Sequence, residues 1–456
     1  MNAVTQCNRI LPLDRRSPRL LPMLRRFLSV RASAVSALVF GATILPVAAQ
    51  PKGYNYDEAK VPKYSLPDPL INGDGKSVKD AGAWQGQRRE EILRLFEQYV
   101  YGRAPKGDGN VRFEVLSRYR NAFGGKATRK EVRAHFTGNG KRAHMDILIY
   151  LPNVTSGPVP LFVGLSFYGN HTVSSDPSIR LNENWMRSSS KNGIVDHRAT
   201  DASRGTSASR WAIEKILDRG YGLATMYCGD IDPDFDDEFQ NGIHPLFLKP
   251  GQTKPAPDEW GTIAAWSWGL SRAMDYFETD GDIDHDRVAV MGHSRLGKTS
   301  LWAGATDQRF AIVISNNSGC GGAALARRHF GETVQRINTS FPHWFNDNHV
   351  KFNEKENELP VDQHMLIALM APRPVYIASA ELDQWADPNG EFTSGKLAGP
   401  VYALFDRGGV GVAIKPGLNK PVGDFVGYHH RTGKHDVTDY DWEQYLTFAD
   451  RHFGRQ

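Results

Sequence analysis

One stretch of this sequence, residues 288–302, constrains the fold more than any other. It reads VAVMGHSRLGKTSLW: an apolar run ends at Gly292, and residues with helical character begin directly after Ser294. A serine on a sharp turn between a buried strand and a helix is exposed, and it points toward the positive end of the new helix. Because serine nucleophiles are presented in this way, the stretch predicts that Ser294 attacks an ester.

The apolar runs around this stretch predict the rest of the architecture. Three strand-like runs at 111–115, 130–136 and 144–151 are separated by turn-rich segments, as in an antiparallel meander. After Pro158, continuous apolar runs alternate with helical stretches, which indicates a parallel sheet buried on both faces. We therefore expect an α/β protein with the α/β-hydrolase fold. This is a three-layer sandwich whose central sheet is mostly parallel, with antiparallel N-terminal strands.

The N-terminal region predicts export. Residues 1–49 combine arginines, an apolar run and the small residues Val47-Ala48-Ala49, a pattern typical of a cleaved signal peptide; an uncleaved membrane anchor is the alternative. Residues 50–85, rich in Pro, Gly, Asp and Lys, form an expected N-terminal arm, and residues 86–456 the catalytic domain. We expect a secreted or periplasmic monomer without stable membrane association after cleavage.

Charge and cysteine usage narrow the function classes. The net charge is only +4, and seven arginines lie within the first 32 residues, so we expect no nucleic-acid partner. Cys228 and Cys320 form either one disulfide or, as we favour, two buried free thiols. Counted from Asp280, the acidic run 280–286 has His285 at the sixth position, and Met291 follows at the twelfth, where a calcium loop needs glycine and glutamate. We therefore expect neither a metal nor another cofactor.

A serine nucleophile needs a base and an orienting acid, and in this fold both follow it in the chain, the acid first. His435 follows a glycine turn and precedes the last predicted helix, so we prefer it as base over His429 and His430. The segment 375–387 fits the acid loop.

The turn departs from the common G-x-S-x-G pattern. Leu296 stands where the second glycine is expected, and Gly297 follows one position later. Arg295, directly after the serine, either donates to the oxyanion together with its own backbone N–H or points away and pairs with a carboxylate. From the residues alone, both interpretations of Arg295 stay open.

Several segments resemble one known family, the glucuronoyl esterases of carbohydrate esterase family 15, over roughly residues 85–454. The most specific is GHSRLGK at 292–298, followed by WAGATD at 302–307. The weaker matches are FYGNHT at 167–172, GDIDPD at 229–234, SGCGGA at 318–323, GETV at 331–334, FPHWF at 341–345 and DQWADP at 383–388.

The resemblance implies a function and roles for particular residues. Members of this family cleave esters between lignin alcohols and the (4-O-methyl-)glucuronic acid branches of xylan. The resemblance implies Ser294 as nucleophile, His435 as base and Arg295 as oxyanion donor. It further implies that Lys298 contacts hydroxyl or methoxy oxygens of the uronate, that Trp385 lines the sugar site, and that sugar hydroxyls bind Glu332 and Gln335.

The triad acid departs from the pattern of many members, which carry a glutamate in an Asn-Glu-Ser-Gly context. This chain has Asn317 at that position. The family also has an acid after a later strand, and Asp383 matches it, with Asp387 and Glu381 as fallbacks. We expect Asn317 to be at most a hydrogen-bonding helper.

The predicted function is therefore a serine esterase that hydrolyses glucuronate esters of glucuronoxylan and lignin through an acyl-enzyme. Two alternatives stay open: another carbohydrate esterase, such as an acetyl-xylan esterase, and a carbohydrate-binding protein that has lost catalysis. Residues 317–360 are expected to form an irregular insertion over the active face.

Overall fold

A nine-stranded mixed sheet forms the centre of the computed structural model, which describes residues 50–107 and 110–454. The predicted signal peptide, residues 1–49, lies outside the described residues. The strands are β1 Arg112–Ala122, β2 Ala127–Gly138, β3 Lys141–Pro152, β4 Val159–Ser166, β5 Ile194–Val195, β6 Arg198–Ala199, β7 Gly222–Tyr227, β8 Ile283–His293, β9 Ile312–Asn316, β10 Val375–Ala380 and β11 Val426–Arg431.

The helices flank this sheet and fill the connections between its strands. They are α1 Ala81–Ala83, α2 Arg89–Phe96, α3 Ile213–Asp218, α4 Cys228–Ile231, α5 Thr262–Phe277, α6 Arg295–Thr306, α7 Val334–Ser340, α8 Gln363–Ala368, α9 Pro388–Ala403 and α10 Asp439–Phe453. Two π-helical segments, Trp84–Arg88 and Glu97–Tyr101, follow α1 and α2 directly. In the described part of the chain, no helix combines the length and apolarity needed to cross a bilayer.

The strand order is β1-β2-β3-β7-β4-β8-β9-β10-β11, and β5 and β6 form a separate two-stranded sheet. The pairs β1–β2, β2–β3 and β3–β7 are antiparallel, and the pairs from β7 to β11 are parallel. The predicted antiparallel start and mostly parallel sheet are confirmed, although β1 to β3 are longer than their apolar runs.

The sheet is covered on both faces, which confirms the three-layer prediction. Alternate residues of one strand enter different clusters, because successive side chains point to opposite faces. Val163 belongs to a cluster with Trp266 of α5, whereas Phe162 belongs to a cluster with Ile216 of α3 and Leu446 of α10. Burial on both sides explains why all eight residues of β4 are buried and apolar runs persist there.

This topology places the candidate catalytic residues at one edge of the sheet. Ser294 follows β8, Asn317 follows β9, Asp383 follows β10, and His435 follows β11. Because these strands are parallel, their carboxyl ends meet at the same edge. The segment 317–360 is less irregular than expected, since it contains α7 and the 3-10 helix Asp347–Phe352. The two cysteines favoured as free thiols are both free and buried.

Candidate active site

Ser294 occupies a strained turn between β8 and α6, with φ 58° and ψ −129°. Gly292 makes the turn possible, because a Cβ there would lie 1.8 Å from the carbonyl oxygen of Leu296. At Gly297 a Cβ would lie 3.0 Å from Ser318, which explains why the shifted glycine is needed one position later. A non-glycine residue held at positive φ in this way is typical of a functional turn.

His435 lies in the loop between β11 and α10, and its Nδ1 is 2.6 Å from Oδ2 of Asp383. The carboxylate is buried, with 4% of its side chain exposed, whereas 40% of the His435 side chain is exposed. Asp387, one of the fallback acids, instead pairs with Arg328 at 2.7 Å. The predicted pair is thus brought together by the structure.

The two rival histidines are held elsewhere. His429 Nε2 lies 2.9 Å from Asp441, and its Nδ1 lies 3.0 Å from the hydroxyl of Tyr376. His430 Nδ1 lies 3.2 Å from Lys415 Nζ, and burial lowers the pKa of His430 to about 4. Neither ring lines the cleft that contains Ser294 and His435.

That cleft has a volume of about 490 Å³ and brings together most of the predicted site. Its lining includes Ser294, Arg295, Lys298, Asn317, Ser318, Gly319, Glu332, Phe341, Trp344, Asp383, Trp385 and His435. Gln335 is not among the residues that line it. On α7 the buried residues are Val334, Ile337 and Asn338, so Gln335 lies on the exposed face of that helix.

Arg295 lines the cleft, as an oxyanion donor would have to, and it is also paired with a carboxylate, as in the alternative interpretation of the sequence. Its guanidinium contacts Asp234 directly and lies over the ring of Trp344, with 4.6 Å from Cζ to the ring centroid. Burial raises the pKa of Asp234, but hydrogen bonds from His343 and Trp344 and the charge of Arg295 hold it below its ordinary value. Asp234 therefore remains a carboxylate that fixes Arg295.

Lys298 is buried in the wall of the cleft, with 2% of its surface exposed. Its ammonium donates to the carbonyl oxygens of Ser318 at 2.7 Å and Cys320 at 2.5 Å, and to Glu332 at 2.9 Å. Three acceptors match the three donors of an ammonium group. Lys298 and Glu332 therefore enter the site as one ion pair held in a fixed position.

Asn317 adopts φ 47° and is 2% exposed. Neither Oδ1 nor Nδ2 of its side chain has a hydrogen-bond partner among the described residues. It lines the same cleft as His435. Its amide therefore has unused hydrogen-bonding capacity at the site. Burying such an amide without partners costs free energy of folding.

Two further residues at the site carried no signal that sequence reasoning could use. Glu391 is fully buried at the start of α9 and accepts from the backbone N–H groups of Ser318 at 2.8 Å and Gly319 at 3.0 Å. An acid in the first turn of a helix is common, so its position alone did not mark it. His293 lies with its ring centroid 4.4 Å from that of His435, and burial keeps its pKa well below the ordinary value.

Comparisons with known proteins point to one family of esterases. The family model described as "Glucuronyl esterase, fungi" matches residues 255–406. The chain is 56% identical to carbohydrate esterase MZ0003 from an unknown prokaryotic organism, over 89% of this chain and 94% of that one. It is 34% identical to 4-O-methyl-glucuronoyl methylesterase 1 of Wolfiporia cocos, over 82% and 81%. A solved glucuronoyl esterase from Solibacter usitatus is 52% identical, with a TM-score of 0.82 over 87% of this chain and 100% of that chain.

Proposed function

The chain belongs to the glucuronoyl esterases, carbohydrate esterase family 15, and on this premise we propose how its site acts on plant cell-wall polysaccharide. The protein is a serine esterase. It hydrolyses the ester between the (4-O-methyl-)glucuronic acid of glucuronoxylan and an alcohol of lignin. The reaction is acyl transfer to the enzyme followed by hydrolysis.

The observation that carries this proposal is the pairing of His435 Nδ1 with Asp383 at 2.6 Å, in the cleft that Ser294 also lines. The carboxylate accepts a hydrogen bond from the N–H of Nδ1, which keeps the proton on that nitrogen and leaves Nε2 unprotonated, as a general base requires. Ser294 lies on a turn that presents its hydroxyl at the edge of the sheet where the imidazole is held. The pairing supports Asp383, rather than another carboxylate, as the triad acid.

The two chemical steps follow from these roles. Ser294 Oγ attacks the C6 carbonyl of the uronate while His435 takes the hydroxyl proton, which gives a tetrahedral intermediate. Collapse of the intermediate breaks the bond to the alcohol, and His435 returns the proton to the departing oxygen. Water then attacks the acyl-enzyme with the same base, which releases the uronic acid and restores Ser294.

Arg295 stabilises the negative oxygen of each intermediate in this proposal. Its backbone N–H is the first of α6, and its guanidinium lines the cleft. The contact with Asp234 and the ring of Trp344 hold that guanidinium in one orientation before substrate arrives. Donors fixed in advance act more strongly on developing charge than donors that must reorganise.

The ion pair of Lys298 and Glu332 supports recognition of the sugar. Both residues line the cleft beside Trp385, which is half-buried. The ammonium of Lys298 already donates to three protein acceptors, so its role is to fix Glu332. The Glu332 carboxylate accepts hydrogen bonds from sugar hydroxyls, and an indole face suits the apolar face of a pyranose ring. Gln335 lies outside the cleft, and the proposal therefore gives it no role in binding.

Export fits a polymeric substrate that cannot enter a cell. The signal-like pattern at residues 1–49 supports our proposal that the mature protein is secreted or periplasmic, and we propose that it acts as a monomer with the arm at 50–85 and the catalytic domain at 86–456.

The deciding experiment measures hydrolysis of a benzyl glucuronate ester and of acetylated xylan by the wild-type protein and by Ser294→Ala. We expect hydrolysis of the uronate ester by the wild type, none by the variant, and labelling of Ser294 by a phosphonate probe. Activity on the acetyl ester alone would overturn the substrate, and absence of labelling would overturn the serine mechanism.

A further inference from the structure

The N-terminal arm reaches the mouth of the cleft, far along the chain from the catalytic loops. Gln50 and Pro51 line the cleft together with Ser294 and His435. The side-chain amide of Gln50 donates to the carbonyl oxygen of Leu382 at 2.7 Å, one residue before Asp383. The start of the arm is therefore attached to the loop that carries the triad acid.

The arm is also hydrogen bonded to the predicted sugar-binding residues. The N–H of Gly331 donates to the carbonyl oxygen of Asn55 in the arm at 2.8 Å. The next N–H, that of Glu332, donates to the carbonyl oxygen of Trp385 at 3.0 Å. Gly331 adopts φ 63°, and a Cβ there would lie 2.5 Å from the Trp385 carbonyl oxygen, so the bridge requires glycine. The arm, Glu332 and Trp385 thus form one connected unit.

Side chains strengthen this connection. The ring of Tyr54 meets the ring of Trp385 edge to face, with centroids 4.8 Å apart and an interplanar angle of 86°. Glu58 accepts from Arg328 at 2.7 Å, and Arg328 also pairs with Asp387, two residues after Trp385. These contacts hold the arm firmly against the wall of the cleft.

Beyond Trp385 the arm opens onto a second hollow of about 690 Å³. Its walls include Tyr54, Asn55, Tyr56 and Asp57 of the arm, and His329 and Asn357 of the segment 317–360. Tyr54 contributes to this hollow while its ring touches Trp385, which lines the catalytic cleft. Aromatic rings next to amide, carboxylate and imidazole groups supply the two kinds of contact that a sugar ring makes, stacking and hydrogen bonding.

We propose that the first part of the arm, residues 50–57, is a substrate-binding element, and that the hollow behind Tyr54 is a saccharide subsite for xylose units of the backbone that carries the uronate. This inference rests on the proposed function, since it places the uronate in the cleft beside Trp385. The backbone then continues past the Tyr54–Trp385 pair into the hollow. Binding there lowers KM for polymeric substrates and leaves the chemistry at Ser294 unchanged.

The test compares a glucuronate ester carried on xylotriose with a benzyl glucuronate ester. Tyr56→Ala and Asn357→Ala remove one side chain from each wall of the hollow, and Asn357 is exposed, so its loss leaves folding intact. For each variant we expect kcat/KM on the xylotriose substrate to fall about tenfold through KM, the effect of losing one stacking or hydrogen-bonding contact. On the benzyl ester, kcat/KM of Asn357→Ala stays at the wild-type value. Tyr56 also donates to the carbonyl oxygen of Pro51 in the wall of the cleft, so for Tyr56→Ala the expected result is a larger loss on the xylotriose substrate than on the benzyl ester.

Tyr64→Ala is the matched control, because this arm tyrosine lines neither the cleft nor the hollow. Equal losses on both substrates, or no loss on either, would overturn the subsite. A wild-type protein inactive on both esters would count against the proposed function instead. In that case calorimetry of Ser294→Ala with glucuronosyl-xylotriose and with glucuronic acid decides: tighter binding of the oligosaccharide that disappears with Tyr56→Ala supports the subsite, and equal binding of both sugars contradicts it.

Discussion

Asp383 Oδ2 lies 2.6 Å from Nδ1 of His435, across 52 residues of sequence. Asn317 lines the same cleft, and neither polar atom of its side chain has a hydrogen-bond partner within residues 50–107 and 110–454. One carboxylate thus reaches the imidazole from the loop after β10. The residue directly after β9 is Asn317, whose side chain carries no charge.

The first prediction separates these two positions. Asp383→Asn removes the charge that stabilises the imidazolium and favours the wrong tautomer of His435, so kcat should fall by about 10³-fold or more. Asn317→Ala should leave kcat within about threefold of wild type, because in the described chain its amide has no partner to lose. Steady-state kinetics on a benzyl glucuronate ester give both values. A larger loss of kcat in Asn317→Ala than in Asp383→Asn would show that Asp383 is not the triad acid.

The second prediction concerns the oxyanion. Arg295→Met removes a fixed donor from the cleft, and kcat should fall by about 10²- to 10³-fold, with a smaller change in KM. Asp234→Asn keeps a polar side chain beside Trp344 but removes the charge that holds the guanidinium of Arg295. We expect kcat of this variant to fall about tenfold.

A matched control for Arg295→Met is Arg210→Met, since Arg210 also lines the cleft and pairs with Asp436 at 2.7 Å. Its removal changes the charge of the cleft equally without removing an oxyanion donor. Similar losses in the two arginine variants would mean that Arg295 acts through net charge and not through its position.

The third prediction is a pH dependence of stability that arises from Glu391. Burial is the main cause that raises the pKa of this carboxyl to about 8, opposed by hydrogen bonds from Ser379 and from the backbone of Ser318 and Gly319. In the unfolded chain the pKa of this carboxyl lies near its ordinary value of 4.5. Between these two pH values only the folded state holds the proton, so unfolding releases it and the free energy of unfolding falls as pH rises.

Glu391→Gln should remove this dependence, because a glutamine side chain does not titrate. The fold should tolerate the change, because the glutamine oxygen still accepts from both backbone N–H groups. The melting temperature of the variant should exceed that of wild type at pH 9, and the difference should shrink toward pH 5. At pH 9 the difference in unfolding free energy should be roughly 2–5 kcal/mol. Glu358→Gln, at an exposed position, serves as control. A constant difference between pH 5 and pH 9 would contradict a titrating Glu391.

The sequence predicted those parts of the site that follow from strand order. The loops that carry the serine, the acid and the histidine could be placed together because parallel strands end at one edge of the sheet. Within the acid loop, the choice of Asp383 over Asp387 and Glu381 came from the resemblance to the family. The partners of Arg295 and Lys298 could not be predicted. Asp234 lies 61 residues from Arg295 and Glu332 lies 34 from Lys298, so their contacts depend on how loops meet in space.

The arm illustrates the same limit. Its composition indicated an extended segment and nothing about its destination. Its contacts join residues that are far apart in the chain. Gln50 and Leu382 are separated by 332 residues, and the contact of Tyr54 with Trp385 has a similar span. The local pattern of apolar residues indicates burial and periodicity, from which the strands of the sheet can be predicted. It carries little information about such long-range contacts between loops.

The last prediction concerns the loop that holds His435. The guanidinium of Arg431 donates to the carbonyl oxygens of Lys434 at 3.1 Å and Asp436 at 2.5 Å, the two neighbours of His435. Arg431 is also paired with the buried Asp441 at 2.7 Å. Arg431→Lys keeps the charge beside Asp441, but one ammonium cannot reproduce the planar set of donors that binds both carbonyls.

In Arg431→Lys the imidazole should therefore be held less firmly, and kcat on the benzyl ester should fall about tenfold while KM stays unchanged, because misplacement of a catalytic group acts on the chemical step. The rate of Ser294 labelling by a phosphonate should fall by the same factor, a readout that a purely structural role would not change. Arg451→Lys on α10, whose guanidinium donates to the carbonyl oxygen of Gly423, is the matched control. Wild-type kcat together with a lowered melting temperature would show that Arg431 stabilises the fold without positioning His435.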